Sequence, residues 1–207
     1  MKDKREKMHQ AACLLLMITV LVQAFRSKNS RTEETGSPEG KAAISVIHNR
    51  KSVRDFITEK PVSKEDIQTL IKAGMAAPSG RDIRPWEIIV IDDRETLDRM
   101  AQELPTAGML SKVPYALVVC GDAERSFYWY LDCAAVTQNI LLAAEALDLE
   151  AVWTAVYPYE DRTETVVRHT RLPEHILPLA VIPVGHPKGN TPAKDKYDRS
   201  KVHHSHW

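Results

Sequence analysis

The sequence predicts an α+β domain in which helices surround a sheet of about four or five short strands. Apolar residues recur at helical spacing in several segments, and runs rich in β-branched or aromatic residues lie between those segments. The longest predicted helix, residues 130–147, is apolar on nearly every side. A helix of that kind is buried all round, so the sequence favours either a partner subunit around it or a central position in a monomer.

The first two helices are predicted from spacing and capping. A short amphipathic helix begins at about Ala42, and a loop follows it at Asn49. Ser63 and Asp66 form a Ser-x-x-Asp capping pattern, which predicts the start of a second helix. Pro78 ends that helix, because a proline removes a backbone donor and clashes with the preceding turn.

Further helices and four strands complete the predicted domain. Asp93 is expected to cap one helix, and another is expected near residues 161–169. The predicted strands are residues 86–91, 115–120, 151–156 and 179–184.

Residues 1–24 carry a pattern typical of a secretory signal, with a mainly basic start, an apolar run over 11–22 and a small-residue site at Val22-Gln23-Ala24. The run is shorter than the roughly 20 residues that span a bilayer, so a membrane anchor fits less well. A helix of the folded domain or a mistaken start is the other alternative. A signal implies export to a periplasmic location, and an uncleaved segment implies membrane attachment. If the segment is not a signal, a cytoplasmic location is expected. Residues 25–41 fit a flexible linker, and 42–207 form the predicted domain.

Charge and motif content exclude several classes of site. The 207-residue chain holds 28 Lys and Arg against 28 Asp and Glu, so no net field would recruit nucleic acid. Its three cysteines lack a metal-ligand spacing, and Cys120 and Cys133 lie in apolar runs where buried, reduced thiols are expected. Neither GxGxxG nor the P-loop pattern occurs, and no serine lies in a GxSxG elbow. We therefore expect no metal site and no site of those three types.

Three segments far apart in the sequence carry groups that bind anions or flat rings. The first is the basic run 50–54, whose cations and serine hydroxyl suit a phosphate. The second is 77–86, in which small residues permit a close approach of the backbone to a flat ligand. The third follows the last strand and places Lys194 and Lys196 two residues apart. Taken singly, each segment also fits a plain structural role as a basic turn, a helix-to-strand connection or a charged tail.

In this order the three segments resemble the nitroreductase family of FMN-dependent oxidoreductases. The family's typical first motif, Arg-Arg-Ser-x-Arg-x-Phe, is matched by Arg50, Lys51, Ser52, Arg54 and Phe56. Its second motif is matched by Pro78, Ser79, Pro85 and Trp86. The resemblance covers about residues 44–207, continuing through Gln138-Asn139, Ala151-Val152-Trp153-Thr154 and the segment 183–187.

The resemblance implies an intertwined homodimer with a central mixed or antiparallel sheet and FMN bound between the subunits. The implied contacts to the phosphate, ribityl chain and ring edge are Arg50, Lys51, Ser52 and Arg54, with Lys194 and Lys196 also at the phosphate. The other subunit is expected to contribute Pro78, Ser79 and Gly80, and Asp82 from the same loop. One face of the ring is expected to lie along Trp153, Thr154 and Ala155. Asp82 and Arg84 stand where Asn and Gln are usual, and we expect Arg84 to balance the charge of Asp82. The other departures are Asp148 and Glu150 in place of glycines and Ala155 in place of a glutamate.

By the same resemblance, hydride passes from NAD(P)H through FMN to nitroaromatic, quinone or similar electron-poor acceptors in a ping-pong sequence. The flavin carries the chemistry, so no catalytic side chain is expected. Reductive dehalogenation of a dedicated substrate is one alternative. A non-turnover extracytoplasmic flavin carrier, suggested by the signal-like start, is another. The histidines His203, His204 and His206 either lie in a surface tail or bind a cation.

Overall fold

The computed structural model describes residues 36–207. The signal or anchor predicted over 1–24 and most of the predicted linker lie outside the described residues. The chain divides after Ala42, and the sheet and the candidate site belong to the unit Ala43–Trp207. No helix within residues 36–207 has both the length and the apolar character needed to cross a membrane.

The described chain contains five helices and five strands. The helices are α1 (Pro38–Asn49), α2 (Lys64–Met75), α3 (Arg94–Glu103), α4 (Trp129–Ala146) and α5 (Glu160–Thr170). The strands are β1 (Trp86–Ile91), β2 (Tyr115–Asp122), β3 (Glu150–Ala151), β4 (Thr154–Ala155) and β5 (Ile176–Gly185). Short 3₁₀ turns occupy Gly80–Asp82, Gly108–Lys112 and Arg199–Lys201.

Side-chain caps start α2 and α3 as predicted. The Ser63 hydroxyl accepts a hydrogen bond from the Asp66 N–H at 2.9 Å. The Asp93 carboxylate accepts one from the Thr96 N–H at 2.8 Å. Each cap satisfies a backbone donor that the first helical turn leaves without a partner.

Helix α1 begins at Pro38 rather than at about Ala42, so residues 38–41 of the predicted linker are helical. The Ser37 hydroxyl accepts a hydrogen bond from the Gly40 N–H at 3.1 Å, which is an N-terminal cap. Pro38 suits the first helical position, because its fixed φ matches the helix and its missing N–H would have no partner there. The helix ends at Asn49, where the sequence predicted a loop.

The sheet has the strand order β1-β2-β5-β3, with β4 also paired to β5, and every pairing is antiparallel. Along β2, Leu117 and Val119 face a core shared with α2 and α4, whereas Val118 and Cys120 face a second core shared with α3 and α5. Helices therefore cover both faces, and the α+β prediction is confirmed. Cys120 and Cys133 are free and buried, as predicted.

The single strand predicted over 151–156 is wrong, because the structure has two short strands there. Ala151 pairs with Val184 and Thr154 pairs with Val181, so the register is continuous across the gap. In that register Val152 stands opposite Pro183, which has no backbone N–H to donate. The ladder is interrupted at the proline.

Helix α4 is covered by the sheet on one side only. Gly121 of β2 permits a close approach, since a Cβ at this position would lie 2.8 Å from Cε3 of Trp129. Val136 and Ile140 are buried, but Leu131 remains 53% exposed. The prediction that α4 is buried all round does not hold within one chain.

Candidate cofactor site

The basic segment 50–54 leaves α1 as an extended chain that lies against the sheet edge. Val53 and Phe56 are each 2% exposed, which fixes the segment to the core, while Arg54 between them points to solvent. The Val53 N–H donates to the Ala151 carbonyl at 3.4 Å, so the segment runs beside β3. Because Val53 and Phe56 are buried, the polar side chains of the same segment lie at the surface.

The chain after β5 is fastened to the same segment. The Ile57 N–H donates to the His186 carbonyl at 2.9 Å, and the Lys188 N–H donates to the Asp55 carbonyl at 2.9 Å. Gly185 leaves room for this crossing, since a Cβ there would lie 3.1 Å from Cδ1 of Phe56. Two segments that are far apart in the sequence are thus neighbours in the fold.

These two segments enclose a cavity of about 290 Å³. Its lining is Arg50, Lys51, Ser52, Arg54, Thr191, Pro192, Lys194 and Lys196. A neighbouring recess of about 540 Å³ shares Arg50, Lys194 and Lys196 with it. The structure therefore brings together all six residues predicted from the first and third segments.

The cavity lining suits the phosphate of FMN. A phosphate monoester carries about −1.5 to −2 charge at neutral pH and binds cations and hydroxyl donors. Five of the lining side chains are cations, and Ser52 adds a hydroxyl. The donor set therefore fits the phosphorylated end of the cofactor that the resemblance implies.

Lys51 differs from the other cations because two carboxylates bind its ammonium group. Its Nζ lies 3.0 Å from Oε2 of Glu145 and also contacts Oε1 of Glu150. Partial burial alone would lower the pKa of Lys51, but the bonds to Glu150 and Glu145 outweigh it and raise that pKa. Burial raises the pKa of Glu150, against the opposing effect of Lys51. The motif located Lys51, but its two carboxylate partners were not predicted.

Replacing Lys51 by methionine is expected to destabilise the fold by about 2 kcal/mol at pH 7.5 and by less at pH 5. Without Lys51 the pKa of Glu150 rises further, so the folded state takes up a proton that the unfolded state has released. Stability of the variant therefore falls as pH rises above the unfolded pKa of a glutamate, about 4.3. Lys51 itself stays charged over this range, so the pH dependence comes from the carboxylates. Urea unfolding at both pH values measures the difference.

Lys112→Met is the matched control for this prediction. Lys112 lies 2.9 Å from Asp55 in an exposed ion pair, so its loss should change stability little at either pH. A Lys51→Met variant whose loss of stability is equal at pH 5 and pH 7.5 would contradict the assignment.

The second predicted segment is held to α4 and does not line the cavity of its own chain. The Ser79 hydroxyl donates to Oδ2 of Asp132 at 2.8 Å, and the Gly80 N–H donates to Oδ1 of Asp132 at 3.2 Å. Ser79 also accepts a hydrogen bond from the Arg84 N–H at 2.8 Å. Asp132 is 7% exposed and fixes this loop, and no sequence signal singled it out.

Arg84 balances the charge of Asp82, as predicted. Its Nε and Nη2 donate to the two carboxylate oxygens of Asp82 at 2.6 and 2.7 Å. These bonds lower the pKa of the Asp82 carboxyl. Arg81, Asp82 and Arg84 have φ of 53°, 57° and 52°, a left-handed conformation that is unfavourable for most non-glycine residues. The loop therefore has a strained, specific shape next to the Ser79 anchor.

The residues predicted to lie along one ring face, Trp153 to Ala155, are on the sheet edge and follow β3 in the chain. The buried Thr154 hydroxyl donates to the Val181 carbonyl. The Ala155 carbonyl accepts a hydrogen bond from Nη1 of Arg162 at 2.9 Å. Trp153 and Ala155 are half-buried, and neither lines the basic cavity.

A helix-covered antiparallel sheet with a basic cavity of about 290 Å³ at its edge defines a nitroreductase-like α+β protein. A model of the nitroreductase family matches residues 47–107 and 102–186. The chain belongs to the nitroreductase family.

Its relatives agree with this assignment. A Bacteroides thetaiotaomicron structure named NADH dehydrogenase/NAD(P)H nitroreductase is 55% identical, with a TM-score of 0.80, and the match covers 84% of this chain and 100% of that one. A protein of the same name from Methanothermobacter thermautotrophicus is 39% identical over 167 residues, covering 79% of this chain and 87% of the relative. An FMN-dependent nitroreductase structure from Clostridium difficile is 26% identical, with a TM-score of 0.75, and the match covers 79% and 99% of the two chains.

Proposed function

We propose that this chain is an FMN-dependent NAD(P)H oxidoreductase that works as a homodimer on nitroaromatic, quinone or similar electron-poor acceptors. The observation that carries the proposal is the meeting of Arg50, Ser52 and Lys196 at one basic cavity. Membership of the nitroreductase family supports the reaction class. A relative from Bacillus subtilis named FMN reductase (NADPH) supports the cofactor and the electron donor.

Bound at this cavity, FMN would supply the chemistry of hydride transfer between NAD(P)H and the acceptor. Arg50, Arg54, Lys194 and Lys196 would hold the phosphate by charge, and Ser52 would donate to it or to the ribityl chain. Arg162 fixes the Ala155 carbonyl, which sets the position of the backbone assigned to the ring face. The side chains bind and orient, and none needs to act as acid or nucleophile. Donor and acceptor would bind in turn at one place beside the cofactor, an order that would give ping-pong kinetics.

Exposed apolar surface supports the homodimer. Ile44 and Ile47 on α1 are 54% and 50% exposed, and Leu131 on α4 is 53% exposed. Residues 188–207 are exposed along their whole length. A second chain covering these surfaces would bury them, as obligate interfaces do. It would also allow the Pro78–Gly80 loop, which lies away from its own cavity, to reach the cavity of the partner.

Steady-state kinetics test the reaction. The NADPH concentration is varied at several fixed concentrations of a quinone or a nitrofuran, and the expected result is a set of parallel double-reciprocal lines. Sedimentation of the same preparation should give the mass of two chains. Protein that binds FMN but reduces neither acceptor would contradict the proposal and favour a flavin carrier.

A further inference from the structure

The ammonium group of Lys51, which lines the phosphate cavity, is bound by two acidic side chains. Its side chain is 20% exposed, and those of Glu145 and Glu150 are 15% and 8% exposed, so solvent screens these contacts little. Glu145 belongs to α4 and Glu150 to β3, so two separate elements hold Lys51 in place. One cation of the cavity is therefore neutralised by the protein itself.

The other cations of the cavity are in a different state. Arg54, Lys194 and Lys196 make no ion pair with any described residue, and they remain available to an anion. Arg50 lowers the pKa of Glu150, so the Glu150 carboxylate lies within electrostatic reach of a second cation of the cavity. The negative charge of Glu150 therefore lowers the positive potential of the cavity in two ways, by pairing with Lys51 and by its proximity to Arg50.

Glu150 is fixed by its backbone and has little freedom to leave this position. It opens β3 in register with Gly185, and the residue is 6% exposed. Nothing in the β3–β5 ladder requires an acidic side chain, because the pairing uses backbone groups.

We propose that Glu150 limits the affinity of the cavity for the FMN phosphate by holding Lys51 against Glu145 and by adding a negative charge beside the bound anion. Glu150 is a positioning residue that acts through Lys51. The inference rests on the proposed function, since it describes the regulation of cofactor affinity at the same site. It predicts that removing the charge tightens binding, whereas loss of a purely structural contact would weaken it.

The test is the variant Glu150→Gln, titrated with FMN and with riboflavin by quenching of flavin fluorescence. Glutamine keeps the shape and an oxygen acceptor for Lys51 but removes the charge. The Kd for FMN is expected to fall by about tenfold, because one charge is removed beside a phosphate dianion. The Kd for riboflavin, which has no phosphate, should change less than about twofold. An unchanged Kd for FMN, or an equal tightening for both flavins, overturns the inference.

Two further variants complete the experiment. Glu103→Gln removes an equal charge from an exposed ion pair with Arg168 outside the cavity lining, and its Kd values should match those of the wild type. If Glu150→Gln does not fold, Glu145→Gln replaces it and should tighten FMN binding in the same direction. A wild-type chain that binds no FMN overturns the proposed function together with this inference. If the wild type binds FMN but the Glu150 and Glu145 variants show the same Kd for FMN as the wild type, this inference alone is overturned.

Discussion

Simultaneous replacement of Arg50 and Lys196 by alanine is expected to weaken FMN binding by about a hundredfold or more. Each is a cation of the cavity lining, and they come from the two separate segments that line it. A charge-assisted hydrogen bond to phosphate contributes more than a neutral one, so the loss of two such donors lowers affinity steeply. Titration of each protein with FMN, followed by flavin fluorescence, gives the ratio of the Kd values.

A charge-matched variant controls for the change in net charge. Arg99 and Lys112 are exposed cations that pair with Glu95 and Asp55 and do not line the cavity. Their joint replacement by alanine should leave the Kd for FMN close to that of the wild type. Equal Kd values for both double variants would show that the cavity is not the phosphate site.

Phe56→Ala is expected to destabilise the fold by about 4 kcal/mol, since truncation of a buried phenylalanine loses transfer free energy and leaves a cavity. Phe56 is 2% exposed and forms an isolated bridge with Pro187, where the basic segment meets the chain that follows β5. The same change should weaken FMN binding, because both segments lose their common anchor. Urea unfolding measures the first effect, and titration with FMN measures the second.

Ile57→Ala is the neighbouring control. Ile57 is 39% exposed, so its truncation should cost less than about 1 kcal/mol. A Phe56→Ala variant as stable as Ile57→Ala would show that Phe56 does not anchor the site.

Local signals predicted most of the elements, and long-range pairing explains where they failed. Ser63 and Asp93 cap their helices because a short-range hydrogen bond decides a helix start. Strand β5 begins at Ile176, earlier than predicted, because a bulge at Leu179 lets the pairing with β2 continue past Pro178. The interruption at Pro183 depends on which strand lies opposite, which a single segment does not reveal.

The candidate site shows the same division. The basic motif and the two lysines were predicted because their order resembles the family's motifs, and their residue types suit a phosphate. The contacts of Lys51 with Glu145 and Glu150, and of Ser79 with Asp132, join residues far apart in the chain. Such contacts depend on the packing of α4 against the sheet, and no spacing in the sequence encodes them.

The most direct test of the account is an absorbance spectrum of the purified protein, followed by anaerobic addition of NADPH. The account predicts a yellow protein that releases FMN on denaturation and whose flavin bands bleach when NADPH is added. A colourless protein that takes up no added FMN would contradict it, because the meeting of Arg50, Ser52 and Lys196 would then serve no flavin phosphate.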